Sequence, residues 1–248
     1  MTAPKPAILF VSGAWHTPTH YASFKEKLED QGYEVFVPQL PTCGGKTGTT
    51  WKDDVPFLHS IVEPHMDQGK EFIVVCHSYG GIPGCTATKG YTVEERQQAG
   101  KKGGFRSILF VAAFAVPQPG LDVLQCIGGK YAPWMAPQPA YQGNQLCYVN
   151  EQAKHAFYND LPEDQVQKCF DALLPHSQDA LETPVEFLTS ELTIPKTFLI
   201  CEIDQAMPVE VQRMLASATP GMKVETCSAG HTPFLSQPGR VIEVINSL

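Results

Sequence analysis

The sequence predicts an α/β protein in which a mainly parallel sheet of six strands is covered by helices on both faces. Short apolar runs alternate along most of the chain with segments whose apolar residues recur at helical spacing. Within most of these runs the apolar residues are continuous, which indicates strands that are buried on both faces. Strands of this kind separated by helices are typical of a parallel sheet with a layer of helices on either side.

Six apolar runs account for the predicted strands. In chain order they are Ile8–Val11, Glu34–Val37, Phe72–Cys76, Ser107–Ala112, Thr197–Glu202 and Lys223–Cys227. Tyr21, Phe24 and Leu28 follow the first strand at helical spacing. A second helix begins near Trp51, and we expect Pro56 to kink it. The last two helical stripes are Val211, Met214, Leu215 and Ala218, and then Val241, Val244, Ile245 and Leu248.

One long segment interrupts this alternation. Between Ala115 and about Leu192 there is no convincing strand; a stretch rich in Pro, Gly and aromatic residues is followed by three helical segments. Nothing in the segment predicts an independent hydrophobic core, so we interpret it as a lid rather than as a second domain. The predicted organisation is a core formed by residues 1–114 and 193–248, with a helical lid insertion at residues 115–192.

The composition excludes several classes of partner. The 248 residues carry a formal net charge of −8, whereas nucleic acids and anionic membranes attract a basic face. No apolar stretch is long enough to span a bilayer, and no signal peptide precedes the first apolar run. We therefore expect a small-molecule substrate, with neither nucleic acid nor membrane as a partner. Nothing in the composition excludes a homodimer.

The cysteines bear on the cellular compartment. All eight are scattered, and Cys76, Cys201 and Cys227 lie in or beside apolar strand runs. This distribution suits reduced thiols packed in a core better than a disulfide framework. It predicts a cytoplasmic location.

The window most informative about chemistry lies at the end of the third predicted strand, in Val74-Val75-Cys76-His77-Ser78-Tyr79-Gly80-Gly81. A buried strand leads into a serine with small residues two positions before and after it, and a glycine pair then opens a helix. A nucleophile elbow has this pattern, because its turn is too sharp for large side chains and exposes the serine Oγ above the sheet. Cys76 replaces the first glycine of the motif. Ser78 is the candidate nucleophile; the alternative is an ordinary turn with a capping serine.

The loop after the first strand, Ser12-Gly13-Ala14-Trp15-His16, is a candidate for part of an oxyanion hole. Where a nucleophile elbow is present, one donor is the backbone N–H of the residue after the nucleophile, here Tyr79. The other donor comes from this loop. Gly13 allows the backbone to turn, and Ala14 is the predicted second donor. A plain turn without a catalytic role is the alternative.

A serine nucleophile needs a base, and the base needs an orienting acid. With a nucleophile elbow the chain order is serine, acid and histidine, with the last two on loops at strand ends. Asp204 follows the fifth predicted strand and His231 follows the sixth, so both lie where this order requires them. Glu202 is the alternative acid. The side chain of His77, next to the serine, should point elsewhere.

The other histidines predict no metal site. His16 and His20 are four residues apart, but no carboxylate or cysteine pattern accompanies them. No dinucleotide-binding glycine motif follows the first strand. We therefore expect neither a metal nor a cofactor.

The combined motifs resemble those of small α/β-hydrolases that include plant methyl esterases, the salicylate-binding esterase, the hydroxynitrile lyases and microbial relatives. The matching segments are 10–16, 75–81, 204–208 and 230–235, with looser matches at 156–160 and 174–177. Ser12 and Cys76 depart from the histidine and glycine that are usual in this group. The resemblance implies the α/β-hydrolase fold, with strand order 2-1-3-4-5-6 and a site beneath the lid.

The group also contains proteins that do not hydrolyse esters. By this resemblance, the plant hydroxynitrile lyases carry a threonine and a lysine at two informative positions. This chain has Gly13 and Thr232 there, so both marks of a lyase are absent. We expect hydrolysis of an ester or lactone of a small, mostly apolar molecule. A non-hydrolytic lyase, C–C cleavage or cyclase step, and a ligand-binding receptor, are the alternatives. The candidate pocket residues are Trp15, His16, Tyr131, Trp134, Met135 and Phe157.

Overall fold

The computed structural model describes residues 5–135 and 142–248. Within them the strands are β1 (Ala7–Val11), β2 (Val35–Phe36), β3 (Glu71–His77), β4 (Gly104–Val111), β5 (Leu146–Cys147), β6 (His176–Ser177), β7 (Lys196–Cys201) and β8 (Lys223–Cys227). One six-stranded sheet has the order β2-β1-β3-β4-β7-β8, and every neighbouring pair in it is parallel. This confirms the predicted sheet and the strand order that the resemblance implied.

Helices cover both faces of this sheet. In the described residues they are α1 (Ala22–Glu29), α2 (Trp51–Met66), α3 (Gly81–Ala87), α4 (Val93–Gln98), α5 (Val123–Cys126), α6 (Ala153–Tyr158), α7 (Glu163–Asp171), α8 (Gln178–Glu182), α9 (Val209–Ser217), α10 (Pro233–Ser236) and α11 (Pro238–Asn246). Short 3₁₀ turns occupy Pro18–Tyr21, Ser78–Gly80 and Thr189–Glu191. The helix α2 continues through Pro56.

The alternation of side chains along each strand divides the core into two clusters. In β1, Leu9 and Val11 pack in one cluster with residues of α2, α3 and α9. Ile8 and Phe10 pack in the other with residues of α1, α10 and α11. Successive side chains of a strand point to opposite faces, so a continuous apolar run supplies both clusters. This is why β1, β3 and β7 lack a polar face, whereas the edge strand β8 is largely exposed.

The segment 115–192 contains α5 to α8 and also the strands β5 and β6, which pair with each other in antiparallel fashion. The prediction that this segment lacks strands was therefore wrong. Each strand has only two residues, and His176 also pairs with Cys43 outside the segment. Pairing this short leaves no periodic pattern in the sequence. No helix within residues 5–135 and 142–248 has the length and apolar character needed to cross a membrane.

Candidate active site

Ser78 lies at a sharp turn between β3 and α3. Its φ of 51° is in the left-handed region, which residues other than glycine rarely adopt. A Cβ on Gly80 would lie 2.3 Å from the Val11 carbonyl oxygen, and one on Gly81 would lie 2.5 Å from the Phe114 carbonyl oxygen. The turn is therefore wedged between the ends of β1 and β4, and both glycines are required for this close approach.

Cys76 is accommodated by a third glycine, which lies in α3. A Cβ built on Gly84 of α3 would lie only 2.4 Å from the Cys76 Sγ. The missing side chain of Gly84 thus leaves room for the thiol. This explains how a cysteine can occupy the first small position of the elbow.

His231 and Asp204 meet at the same end of the sheet as Ser78. The His231 Nδ1 lies 2.8 Å from the Asp204 Oδ2, and both side chains are buried. The Asp204 Oδ1 accepts hydrogen bonds from the backbone N–H groups of Ala206 (2.7 Å) and Met207 (2.9 Å). Donors around the carboxylate suit its ionised form, which in turn favours a proton on the His231 Nδ1. The Nε2 of His231 is then free to act as a base.

Gln212 of α9 is a residue that sequence reasoning missed. Its Nε2 donates to the Asp204 Oδ2 (3.0 Å), and its Oε1 accepts from the Cys201 N–H (2.9 Å). Gln212 therefore fixes the acid relative to the end of β7. Glu202, the alternative acid, instead accepts a hydrogen bond from Ser228 at the protein surface.

Ser78 and His231 line one cavity with about 430 Å³ of empty space, part of it open to solvent. Apart from Ser78, Tyr79 and His231, its lining is apolar: Ala14, Trp15, Phe114, Val123, Ile127, Trp134, Met135, Phe157, Leu181, Ala206 and Met207. The ring of Phe157 lies 4.8 Å from that of Trp134 and 5.7 Å from that of His231, measured between centroids. The aromatic wall therefore reaches the base.

His16 and Tyr131, which the sequence also suggests as pocket residues, are not among the residues that line this cavity. The Nδ1 of His16 lies 2.8 Å from the Ala14 carbonyl oxygen, and its Nε2 lies 3.1 Å from the Tyr158 hydroxyl. Burial lowers the pKa of His16 well below its ordinary value, so the ring is neutral. The Tyr131 hydroxyl is bonded to Glu182 and Gln178. Both side chains are thus engaged in hydrogen bonds with other protein groups.

His20 is held in a similar way, with its Nε2 2.9 Å from the Cys169 carbonyl oxygen and its Nδ1 3.0 Å from the Thr17 N–H. Protein hydrogen bonds thus engage both nitrogens of this ring. The same holds for both nitrogens of His16.

A buried hydrogen-bond chain joins the loop after β1 to His77, the residue before Ser78, and to His231. The Gly13 N–H donates to the Tyr21 hydroxyl (3.0 Å), which lies 2.9 Å from the His77 Nδ1. The His77 Nε2 lies 2.9 Å from the His231 carbonyl oxygen, which can only accept. The Nε2 of His77 must therefore carry the proton, and the Tyr21 O–H donates to its Nδ1. Burial and the nearby His231 lower the pKa of His77 well below its ordinary value, consistent with a neutral ring.

A second buried group holds the ring of Tyr79. The Tyr79 hydroxyl donates to the Asp54 Oδ2 (2.8 Å), which also accepts from the Thr42 hydroxyl (2.9 Å). Burial raises the pKa of Asp54 to about 7, although these hydrogen bonds oppose the rise. The side chain of the residue after Ser78 is thus held in place by Asp54.

The family model described as the alpha/beta hydrolase family matches residues 8–244. The chain belongs to the alpha/beta hydrolase family. An alpha/beta hydrolase of Aspergillus novofumigatus, nvfD, is 28% identical over 249 residues, covering 98% of this chain and 96% of its own. The family match and its named hydrolase relative make this protein a hydrolase.

Two solved structures are similar to this fold. A pyrethroid hydrolase from Sphingobium faniae has a TM-score of 0.74 at 19% identity, covering 98% of this chain and 96% of its own. Polyneuridine aldehyde esterase has a TM-score of 0.77 at 17% identity, covering 98% of both chains. Together with the family match, the esterase neighbour confirms the resemblance that the sequence motifs indicated.

Proposed function

We propose that the protein is a serine esterase or lactonase that cleaves a small, mostly apolar substrate through an acyl-enzyme. The observation that carries the proposal is the cavity shared by Ser78, on its left-handed turn, and His231, whose Nδ1 faces the Asp204 carboxylate. The esterase and hydrolase names of the similar proteins support it.

In this mechanism His231 removes the proton from Ser78 as its Oγ attacks the ester carbonyl carbon. The Asp204 carboxylate keeps the imidazole in the tautomer with Nδ1–H and stabilises the imidazolium that forms. The imidazolium then protonates the leaving alkoxide. Water, activated by the same histidine, releases the acyl group and regenerates Ser78.

The developing oxyanion would be stabilised by the backbone N–H groups of Tyr79 and Ala14. Both residues line the cavity beside Ser78. The N–H of Gly13 is already engaged by Tyr21, so this amide is the less suitable donor of the two in the loop. Removal of one such donor typically lowers the rate by ~10²–10³-fold.

The lining of the cavity supports the proposed apolar substrate. Only the catalytic groups and Tyr79 interrupt an otherwise apolar and aromatic surface, so binding depends on burial of apolar substrate area. No side chain of Lys, Arg, Asp or Glu belongs to this lining in the described residues. A charged substrate would therefore lose its hydration without a compensating ion pair.

The direct test is turnover of a panel of p-nitrophenyl esters and lactones, combined with labelling by a serine-directed phosphonate. We expect turnover of short apolar esters and one phosphonate adduct, located on Ser78. Labelling of Ser78 without turnover of any ester or lactone would contradict the esterase proposal and favour a non-hydrolytic reaction. Failure to label would contradict the nucleophile itself.

Replacing Trp134 or Phe157 with alanine should change substrate preference. Both rings form the aromatic wall, so their loss enlarges the cavity on one side of Ser78. We expect the ratio of kcat/KM between a bulky and a short ester to change. The change should correspond to a difference of roughly 1–3 kcal/mol in transition-state free energy between the two esters. Tyr148→Ala is the control, because Tyr148 is an exposed aromatic residue of the same segment outside this lining. An equal fall for both esters would make the two rings packing residues only.

Tyr21→Phe should lower kcat while leaving KM nearly unchanged. The variant keeps the ring but removes the hydroxyl that bonds both Gly13 and His77. Loss of this link should misplace the oxyanion loop relative to Ser78 and reduce kcat by roughly 10–100-fold.

The matched control for Tyr21→Phe is Tyr33→Phe. It removes a hydroxyl that donates to Asn246 (2.8 Å) away from the cavity. Steady-state kinetics on one ester compare the two variants. Equal effects on both, or a rise in KM alone, would contradict a positioning role for Tyr21.

A further inference from the structure

Two cysteines face each other at the ends of the strands that lead to Asp204 and His231. Cys201 is the last residue of β7 and Cys227 the last residue of β8, and the two are direct partners in the parallel pair. Their Sγ atoms are 3.7 Å apart. All eight cysteines of the chain are free thiols in the structure. This pair is therefore reduced but already in contact.

The backbone of this pair is connected to the proposed acid. The Cys201 carbonyl oxygen accepts from the Asp204 N–H (3.4 Å), and Gln212 bonds both the Cys201 backbone and the Asp204 carboxylate. The Cys227 carbonyl oxygen accepts from the Glu202 N–H (3.0 Å), between Cys201 and Asp204. His231 follows Cys227 by four residues. A movement of either sulfur is thus transmitted to the loops that bring His231 and Asp204 together.

The two thiols differ in access and acidity. β8 is an edge strand of the sheet, and Cys227 retains 5% exposure, whereas Cys201 is fully enclosed. The hydrogen bond with Cys201 lowers the pKa of Cys227, and the nearby Arg240 contributes to the same direction. Burial raises the pKa of Cys201 well above its ordinary value. Cys227 lies nearer the protein surface than Cys201, so it is the thiol that an oxidant reaches first.

We propose that Cys201 and Cys227 are a redox-sensitive modification site, in which a peroxide converts the contact into a reversible disulfide that inactivates the enzyme. The modification goes beyond the proposed function, and only its effect on activity rests on that function.

The chemistry requires hydrogen peroxide as the oxidant and no other component. The Cys227 thiolate attacks one peroxide oxygen, the O–O bond breaks, and Cys227 becomes a sulfenic acid while hydroxide leaves and takes up a proton. The Cys201 thiol, losing its proton, then attacks the Cys227 sulfur; an S–S bond forms, the S–O bond breaks and water leaves. Two thiols lose two electrons and two protons in total, and the peroxide is reduced to two waters.

Closure is feasible but moves the strand ends. Neighbouring strands lie about 4.8 Å apart, within the Cα separation of about 4.4–6.8 Å that disulfides span. The sulfurs must approach from 3.7 Å to about 2.0 Å. The strand ends shift to allow this, and the Asp204–His231 contact shifts with them. Displacements of about 1 Å in a catalytic site lower rates by up to about 10²-fold.

The wild-type protein is treated with increasing concentrations of hydrogen peroxide. Its intact mass, peptide map and esterase activity are then measured at each concentration. We expect a disulfide-linked peptide pair containing Cys201 and Cys227, with a mass loss of about 2 Da that corresponds to two hydrogens. Activity should fall about 10–100-fold in step with this species. Dithiothreitol should restore both mass and activity.

Three variants distinguish oxidation of Cys201 and Cys227 from oxidation of other residues. Cys227→Ser and Cys201→Ser should keep basal activity and resist peroxide. Cys169→Ser removes a thiol of α7 that is more exposed than either, and it should remain as sensitive as the wild type. If a serine variant fails to fold, the wild-type peptide map still decides whether the bond forms.

Each outcome has a distinct meaning. Peroxide that oxidises Cys169 without linking Cys201 to Cys227 would overturn the proposal, as would inhibition that persists in Cys227→Ser. A disulfide that forms without loss of activity would overturn its regulatory part. If Ser78→Ala retains activity, the proposed function fails, but the mass-based result for the cysteine pair stands independently.

Discussion

Ser78→Ala is expected to lower kcat by up to about 10⁶-fold while leaving the fold intact. The substitution removes only the Oγ that would attack the substrate, and the members of a serine triad act as a unit. Alanine is smaller than the half-buried serine, so the turn between β3 and α3 accommodates it. Ester hydrolysis under single-turnover conditions measures the loss, and circular dichroism and the melting temperature report on folding.

Ser60→Ala, an exposed serine on α2, is the matched control and should retain wild-type activity. The phosphonate probe supplies an independent readout, because it should label wild-type protein and Ser60→Ala but not Ser78→Ala. Activity near the wild-type level in Ser78→Ala would remove Ser78 from the mechanism. A general loss in both variants would point to damage of the fold.

Asp204→Asn should lower kcat by about 10⁴-fold with little change in structure. The amide has the same shape, but it offers one acceptor oxygen where Ala206, Met207, Gln212 and His231 all require acceptors. Its NH₂ group would then face either backbone N–H donors or the imidazole. If it faces His231, the Nδ1 becomes an acceptor and the proton moves to Nε2, where it prevents base catalysis.

Glu202→Gln is the informative partner of Asp204→Asn, because Glu202 is the other carboxylate near the end of β7. Its hydrogen bond with Ser228 (3.1 Å) lies at the surface, and we expect wild-type kcat. The two variants are compared by kcat on one ester across a pH series. A large loss in Glu202→Gln with little loss in Asp204→Asn would reverse the assignment of the acid.

The sheet and the candidate catalytic residues could be predicted because their signals are local. Continuous apolar runs define strands buried on both faces, and the spacing of small residues around Ser78 is required by the turn itself. Asp204 and His231 could be assigned because chain order and strand ends restrict where an acid and a base can lie. Each of these inferences depends on a few consecutive residues.

The hydrogen-bonded support of the site could not be predicted, because it depends on long-range side-chain contacts. The bond between His77 and the His231 carbonyl joins residues 154 positions apart, and the bond between Tyr21 and His77 joins residues 56 apart. Asp54 belongs to no recognisable sequence motif, yet it is fully buried and bonded to the Tyr79 hydroxyl. The orientation of a ring is also not encoded locally, so the sequence alone cannot decide whether the rings of His16 and Tyr131 face the pocket.

The conformation of Ser78 has a consequence for the stability of the whole domain. A residue other than glycine held at a φ of 51° occupies a conformation that costs about 1–3 kcal/mol. The free energy of unfolding of a typical domain is only about 5–15 kcal/mol. The backbone strain at Ser78 alone therefore lowers the stability by a measurable fraction. The packing of Gly80 and Gly81 against neighbouring strand ends keeps the turn from relaxing. The packing of the folded domain thus holds Ser78 in a backbone conformation that a serine would not adopt by itself.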